Sequence, residues 1–401
     1  MVNTKLAFFI HFYQPPTQKR EIVAQIAEES YIPVAEGLLK NKKSKITVNI
    51  TGSLLILLDK YGYSRAIEMY RKLIEKGNIE IVGSSAYHAF LPRLPEKQVI
   101  RQIELQEQIL KKYFGQNLKL RGFFPPEMAF VPNLSKIVQA RGYEWIVLDK
   151  YAKRGPRTYA PLYRDKDGLI YFFRNREASF AIVQNKIKTP KDLHEYFEMN
   201  ARPAAYRVIA MDGETFGHHN KKGEKLLEDL YSCKEFELST LSGILDMDLE
   251  VSVINPRKSS WTILDKKRSL NKPFLRWFDR ENEIHRMQWR LTKMAYEAKH
   301  NERSMKKLDA ALFSCQYWWA CARPWWHIEM IESGAHALIE SIIESNDTAI
   351  YKEKALELYH GIVATSFSWM RTGKMQKRVD QEHEYLQHLK DRSSQKQSAN
   401  W

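Results

Sequence analysis

Cysteine is scarce: the 401 residues hold three, Cys233, Cys315 and Cys321, an odd number with no CxxC pair. That excludes a disulfide framework, and reduced thiols in a cytoplasmic protein are the expected state. No apolar run reaches the roughly 18 residues needed to span a bilayer, so no membrane association is expected. The chain opens directly into an apolar segment at residues 5–10. It lacks the basic stretch and small-residue cleavage site of a secretory leader. No repeat of fixed period occurs. Acidic residues are in deficit, 48 against 63 Lys+Arg, for a net charge of +15. The excess lies in scattered runs such as 40–45 and 266–268. No basic stripe is interleaved with aromatics, so the excess reads as a solvated surface and no nucleic-acid partner is expected.

What is present is size, periodicity and aromatic residues. A chain of this length favours one large barrel plus an accessory domain over a single small core. Short apolar runs at residues 5–10, 46–50, 79–82, 122–124, 145–148, 207–211 and 249–254 read as strands. Stretches of helical periodicity lie between most of them, for example 53–76, 96–113 and 134–141. Such alternation predicts a parallel sheet. About seven units predict an α/β fold, an incomplete (β/α)7 barrel over residues 1–265. Residues 169–173 and 179–183 read as a hairpin inserted near 169–184. Beyond, residues 281–300, 304–322, 328–345 and 349–370 read as long helices, a C-terminal helical domain over 266–390. Met287, Leu291, Met294 and Ala295 have the spacing of one buried face. The polar tail, 391–401, is expected to fray.

In parallel α/β barrels the chemistry sits at the C-terminal strand ends. Four such ends here carry reactive residue types. The first is His11-Phe12-Tyr13-Gln14-Pro15-Pro16, where His11 either binds a ligand hydroxyl in the barrel mouth or is satisfied in the core. The second is the small-residue run Gly83 to Ala86 leading to Tyr87 and His88, a ligand contact or an ordinary loop. The third is Phe123-Phe124-Pro125-Pro126-Glu127-Met128. Its prolines stiffen the approach. Its apolar setting leaves Glu127 either with a chemical role or at a helix N-terminus favoured by the dipole. The fourth is Asp212-Gly213-Glu214-Thr215-Phe216-Gly217-His218-His219. Acids two apart on extended chain share a face, so one can donate a proton while the other holds its charge. Asp-Gly alone marks a turn, but a turn does not account for Glu214, His218 and His219 together.

In this order, the four segments resemble glycoside hydrolase family 57, whose members act on α-glucans and related α-glycosides as amylases, glucanotransferases or branching enzymes. The resemblance runs from about Leu6 to Trp326 and includes the aromatic segment Ser314-Cys315-Gln316-Tyr317-Trp318-Trp319 and the stretch from Asn282 to Trp289. It implies an incomplete (β/α)7 barrel followed by helices, with Glu127 as nucleophile and Asp212 as acid/base. It further implies His11, Gln14, Tyr87, His88, Glu214, His218, Trp318 and Trp319 as substrate contacts, with no cofactor and no metal. Tyr13 stands where the family usually has a second His, and Ser314-Cys315-Gln316 where many members carry Ser-Asp-Trp-like residues. The implied partner is an α-glucan or oligosaccharide; hydrolysis and transfer both remain open, as does oligomeric state. A competing expectation is a metal-dependent deacetylase or mannosidase-like hydrolase ligating through His11, Asp212, His218 and His219. A third is a non-catalytic glucan-binding protein.

Overall fold

A computed structural model describes residues 4–41, 43–153, 162–200, 204–262 and 271–398, with side chains as far as 388. The chain divides into two compact units, residues 1–262 and 263–401. The sequence expectation placed the division at 265.

The first unit is built on strands β1 (Lys5–Phe12), β2 (Ile46–Ile50), β3 (Ile79–Ile81), β4 (Gly122–Phe123), β5 (Trp145–Asp149), β6 (Leu162–Arg164), β7 (Ile170–Arg174), β8 (Tyr206–Asp212), β9 (Glu237–Leu238) and β10 (Val251–Val253). β3, β2, β1 and β8 pair in that order in one parallel group, and β4, β5 and β7 in another. Two joints close the ring. Gly83 N–H donates to Gly122 O, and Phe124 N–H to Gly83 O, each at 2.9 Å, linking β3 to β4. Asn175 N–H donates to Val208 O at 2.6 Å, linking β7 to β8. The result is the (β/α)7 barrel.

Strand residues alternate between two cores. Leu6, Phe8, Ile10 and Phe12 pack outward with Val48, Ile209, Met211 and the apolar faces of the surrounding helices. Ala7, Phe9, Trp145, Val147, Phe172, Val208 and Ala210 pack inside. Both faces of β1 are covered, which accounts for its nearly continuous apolar run. Extending the inward series by two residues on each strand leads to His11, Asn49, Asp149, Arg174 and Asp212. Five strands therefore carry an inward-facing polar side chain at their last or next-to-last residue, at one mouth.

Three sequence expectations differ from the structure. Residues 169–173 are not half of an inserted hairpin: Ile170–Arg174 is a barrel strand, parallel to β5 through pairs from Trp145↔Ile170 to Asp149↔Arg174. Residues 179–183 lie in the helix Arg176–Val183, which starts where the Asn175 side chain accepts from Ala178 N–H. The run 249–254 contributes β10, which pairs with β6 outside the ring and is largely exposed.

The second unit comprises the helices Glu283–Glu297, Glu302–Ala311, Cys315–Trp318, Ile328–Ile343, Ala349–Arg371 and Lys374–Ser398. The helix expected over 304–322 is interrupted, and residues 391–398 of the expected frayed tail are helical. In Glu283–Glu297 the buried face is Ile284, Gln288, Leu291, Thr292 and Ala295, with Met287 and Met294 half-buried at its edge. No helix among the described residues is long and apolar enough to cross a membrane.

Candidate active site

The barrel mouth gathers His11, His88, Glu127, Asp212 and Glu214. Glu127 lies in the short turn Pro126–Met128 just past β4. Its backbone is left-handed at φ 63°, as is that of Met128 at 46° and of His88 at 55°. Non-glycine residues pay for this region with roughly 1–2 kcal/mol each, so the turn is held by its surroundings. The holder is the segment 259–261, antiparallel to it. Phe130 N–H donates to Ser259 O at 2.9 Å and Trp261 N–H to Glu127 O at 2.9 Å. The Trp261 indole N–H then donates to Glu127 Oε2 at 2.7 Å, a bond that aims the carboxyl group.

Asp212 ends β8, in register with His11 on β1. It is open to solvent yet crowded by protein, as a residue on the floor of a cleft would be. The crowding pushes its carboxyl up to about 6, opposed by the Arg174 charge. Glu214 is buried; Oε1 accepts from Tyr31 OH at 2.7 Å, Tyr13 N–H at 3.2 Å and Gln14 Nε2 at 3.5 Å. Desolvation first, then the nearby Asp212 charge, raises it to about 8. Gly213 between them is obligatory, since a Cβ there would sit 2.0 Å from the Phe12 ring.

His11 is buried, and burial drops it to about 3, so it is neutral. Its Nδ1–H donates to Asn49 Oδ1 at 2.8 Å, which leaves Nε2 as an acceptor, 3.1 Å from His88 Nε2. His88, held well below its usual range by burial, must donate from that nitrogen. One amide thus sets two tautomers in series. Tyr13 stacks on His88 at 3.9 Å and 15°. At this departure from the family pattern, an aromatic ring covers the pair. Tyr87 is half-buried, its backbone N–H donating to Gln102 Oε1 at 3.2 Å.

His218 is turned to a different partner, Glu29 Oε2 at 2.5 Å, while Lys221 pairs with Glu29 Oε1 at 2.8 Å. Trp318 and Trp319 belong to the second unit. Trp318 packs on Trp277 at 5.3 Å under the Arg276 guanidinium, and Trp319 on His327 at 5.7 Å; both are half-buried. Among the described residues no three of His, Cys, Asp and Glu converge as a metal site. The ligand set expected for a deacetylase-like reading, His11, Asp212, His218 and His219, is therefore not assembled.

The sequence reading missed Asn49, Tyr31, Asp149, Arg174, Arg176 and Trp261. Asn49, Asp149 and Arg174 each close an apolar strand with a polar residue, the same signal that singled out Asp212. Trp261 and Tyr31 have no such mark.

The chain thus has a parallel α/β barrel with carboxyl groups at its C-terminal mouth, the end where such barrels carry their sites. The sequence profile of Glycosyl hydrolase family 57 matches residues 9–257, and the chain belongs to that family. It is 26% identical over 225 residues to an α-amylase of Pyrococcus horikoshii, a match covering 54% of this chain and 35% of the relative. It is 29% identical over 227 residues to a 4-α-glucanotransferase of Thermococcus kodakarensis, covering 54% and 33%. The matched region thus spans about a third of these relatives' length. Among solved structures, the family 57-type branching enzyme of Pyrococcus horikoshii superposes with a TM-score of 0.67 at 17% identity, over 89% of this chain and 95% of that one. The 4-α-glucanotransferase of Thermococcus litoralis gives 0.65 at 18%, over 85% and 60%.

Proposed function

We propose that the protein cleaves or transfers α-glucosidic bonds of an α-glucan or maltooligosaccharide by double displacement, with Glu127 as nucleophile and Asp212 as acid/base. The observation that carries this reading is the difference between the two carboxyls. Glu127 is aimed by the Trp261 indole N–H, a donor of the kind that favours an ionised acceptor. Asp212 is crowded by protein, which favours its protonated form. A pair of acids with divergent environments is the arrangement an acid and a nucleophile require. In a retaining enzyme the two groups stand about 5–5.5 Å apart, across the scissile bond.

Glu127 attacks the anomeric carbon while Asp212 gives its proton to the departing oxygen. Asp212 then removes a proton from the acceptor that displaces Glu127. Water as acceptor gives hydrolysis and a sugar hydroxyl gives transfer. His11, Gln14, Tyr87, His88, Glu214 and His218 are proposed to bind or orient the sugars, and Trp318 and Trp319 to offer ring faces for stacking.

Glu127→Gln is expected to abolish turnover while the fold survives; near-normal activity would sink the nucleophile assignment. Incubation with maltooligosaccharides, glycogen and α-galactosides, followed by product-length measurement, tests substrate and outcome together. Longer products mean transfer, shorter products alone mean hydrolysis, and no change in any α-glucan rejects the proposal.

A further inference from the structure

Arginine is almost never fully buried unless its charge and donors are matched. Arg174, the last residue of β7, is 5% exposed. Its donors go to three separate elements. Nε donates to Asp149 Oδ2 on β5 at 2.9 Å, Nη1 to Ala210 O on β8 at 3.1 Å, and Nη2 to Trp261 O at 2.9 Å. Its guanidinium also lies 5.3 Å from the Trp261 ring centroid. Asp149 is in turn fixed by Tyr151 N–H on Oδ1 at 3.1 Å and by Arg176 on Oδ2 at 2.8 Å. Arg176 Nη1 repeats the contact to Trp261 O at 2.7 Å.

Two of these ties lead to the candidate catalytic acids. Ala210 stands two residues before Asp212 on the same strand face. Trp261 holds Glu127 through both its backbone and its indole N–H. We infer that Arg174 is a positioning residue that sets Glu127 and Asp212 relative to one another, one rigid guanidinium fork spanning the strand that carries the acid and the segment that aims the nucleophile. This rests on the roles proposed above for those two acids. The fork matters as well as the charge, because lysine offers a single point donor and cannot reach both carbonyls in fixed geometry. The charge has its own effect: Arg174 favours the ionised Asp212 against burial. The other groups facing Asp212 are Glu214, whose raised carboxyl is neutral below about 8, and neutral His11 in register on β1.

The test uses full-length Arg174→Lys and Arg174→Gln, assayed on maltooligosaccharides and on a 4-nitrophenyl α-maltooligoside, with folded fractions taken from thermal melts. Misplacement of reacting groups by about 1 Å costs on the order of 100-fold. Both variants are therefore expected to lose about that factor in kcat per folded molecule, with KM changed only a few-fold. The alkaline limb of kcat/KM is expected to move to higher pH in Arg174→Gln and to stay in Arg174→Lys. Combined with Trp261→Phe, which removes the indole donor and keeps the backbone, the losses are expected to be less than additive. Wild-type kcat per folded molecule, or fully additive losses, would overturn the inference. If neither Arg174 variant folds, Trp261→Phe alone decides: wild-type kcat there breaks the link from Arg174 to Glu127, and a large loss supports it. Should Glu127→Gln itself turn over normally, the parent reading has failed, whatever the Arg174 variants do.

Discussion

Glu214 shows how one buried carboxyl makes stability depend on pH. Its carboxyl is raised from 4.5 to about 8 in the folded protein. Between those values the folded chain keeps a proton that the unfolded chain has lost. Stability is therefore highest below the lower value and falls as pH rises through the upper one. The slope is at most about 1.4 kcal/mol per pH unit. Glu214→Gln removes this dependence while keeping an acceptor for Tyr31. The difference in unfolding free energy, wild type minus variant, should shrink from pH 5 to 8 in urea titrations; a flat difference would mean that Glu214 is ionised when folded. At Asp212 the sign concerns activity. If Asp212 is the proton donor proposed above, its carboxyl, raised to about 6, loses that proton as pH climbs past that value, so kcat/KM should fall on the alkaline side. Once ionised, Asp212 in turn helps to hold the neighbouring Glu214 protonated. Asp212→Asn should slow substrates with poor leaving groups far more than activated aryl glycosides; equal losses would count against the acid role.

At the scale of elements, the barrel closes through a glycine. A Cβ on Gly83 would lie 2.1 Å from the Tyr143 hydroxyl, which is itself bonded to Glu107 at 3.0 Å. Gly83 also makes both hydrogen bonds of the β3–β4 joint. Gly83→Ala should cost about 1–3 kcal/mol, the usual penalty for forcing volume into a packed core, measured as a lowered urea midpoint. Glycine beside strand ends was visible in the sequence; its clash partner, sixty residues on, was not. The same limit runs through the fold. Strands β1, β2, β3, β4, β5 and β8 announce themselves as apolar runs between amphipathic stretches. β7 does not, because the helix Arg176–Val183 follows it after one residue and offers a second apolar run. The pair mimics a hairpin, and only the Asn175 cap marks the change of period. The mouth was partly legible by the same token. Polar residues that end apolar strands are readable one strand at a time, whereas the Arg174–Asp149–Trp261 contacts depend on closure of the ring.

For the whole molecule, both apolar cores of the barrel draw, among the described residues, on side chains of the first compact unit. A chain ending at Thr262 should therefore fold and melt cooperatively on its own, as followed by circular dichroism. A broad, non-cooperative melt would show that the barrel depends on the remaining residues. Such a fragment would retain Glu127 and Asp212 and lack Trp318 and Trp319. Comparing its product lengths with those of the full chain tests whether Trp318 and Trp319 have the stacking role proposed above.

The left-handed turn at Glu127 and Met128, with His88 beside it, carries a consequence for anyone who selects variants of this protein. Glycine accepts that backbone without steric cost. A library sorted for heat resistance alone would thus be drawn toward replacing Glu127 or His88, and if these residues have the roles proposed above, its hardiest survivors would include inert barrels. On the proposed roles, robustness and turnover pull in opposite directions at these positions, so a screen on this scaffold has to score both in the same clone.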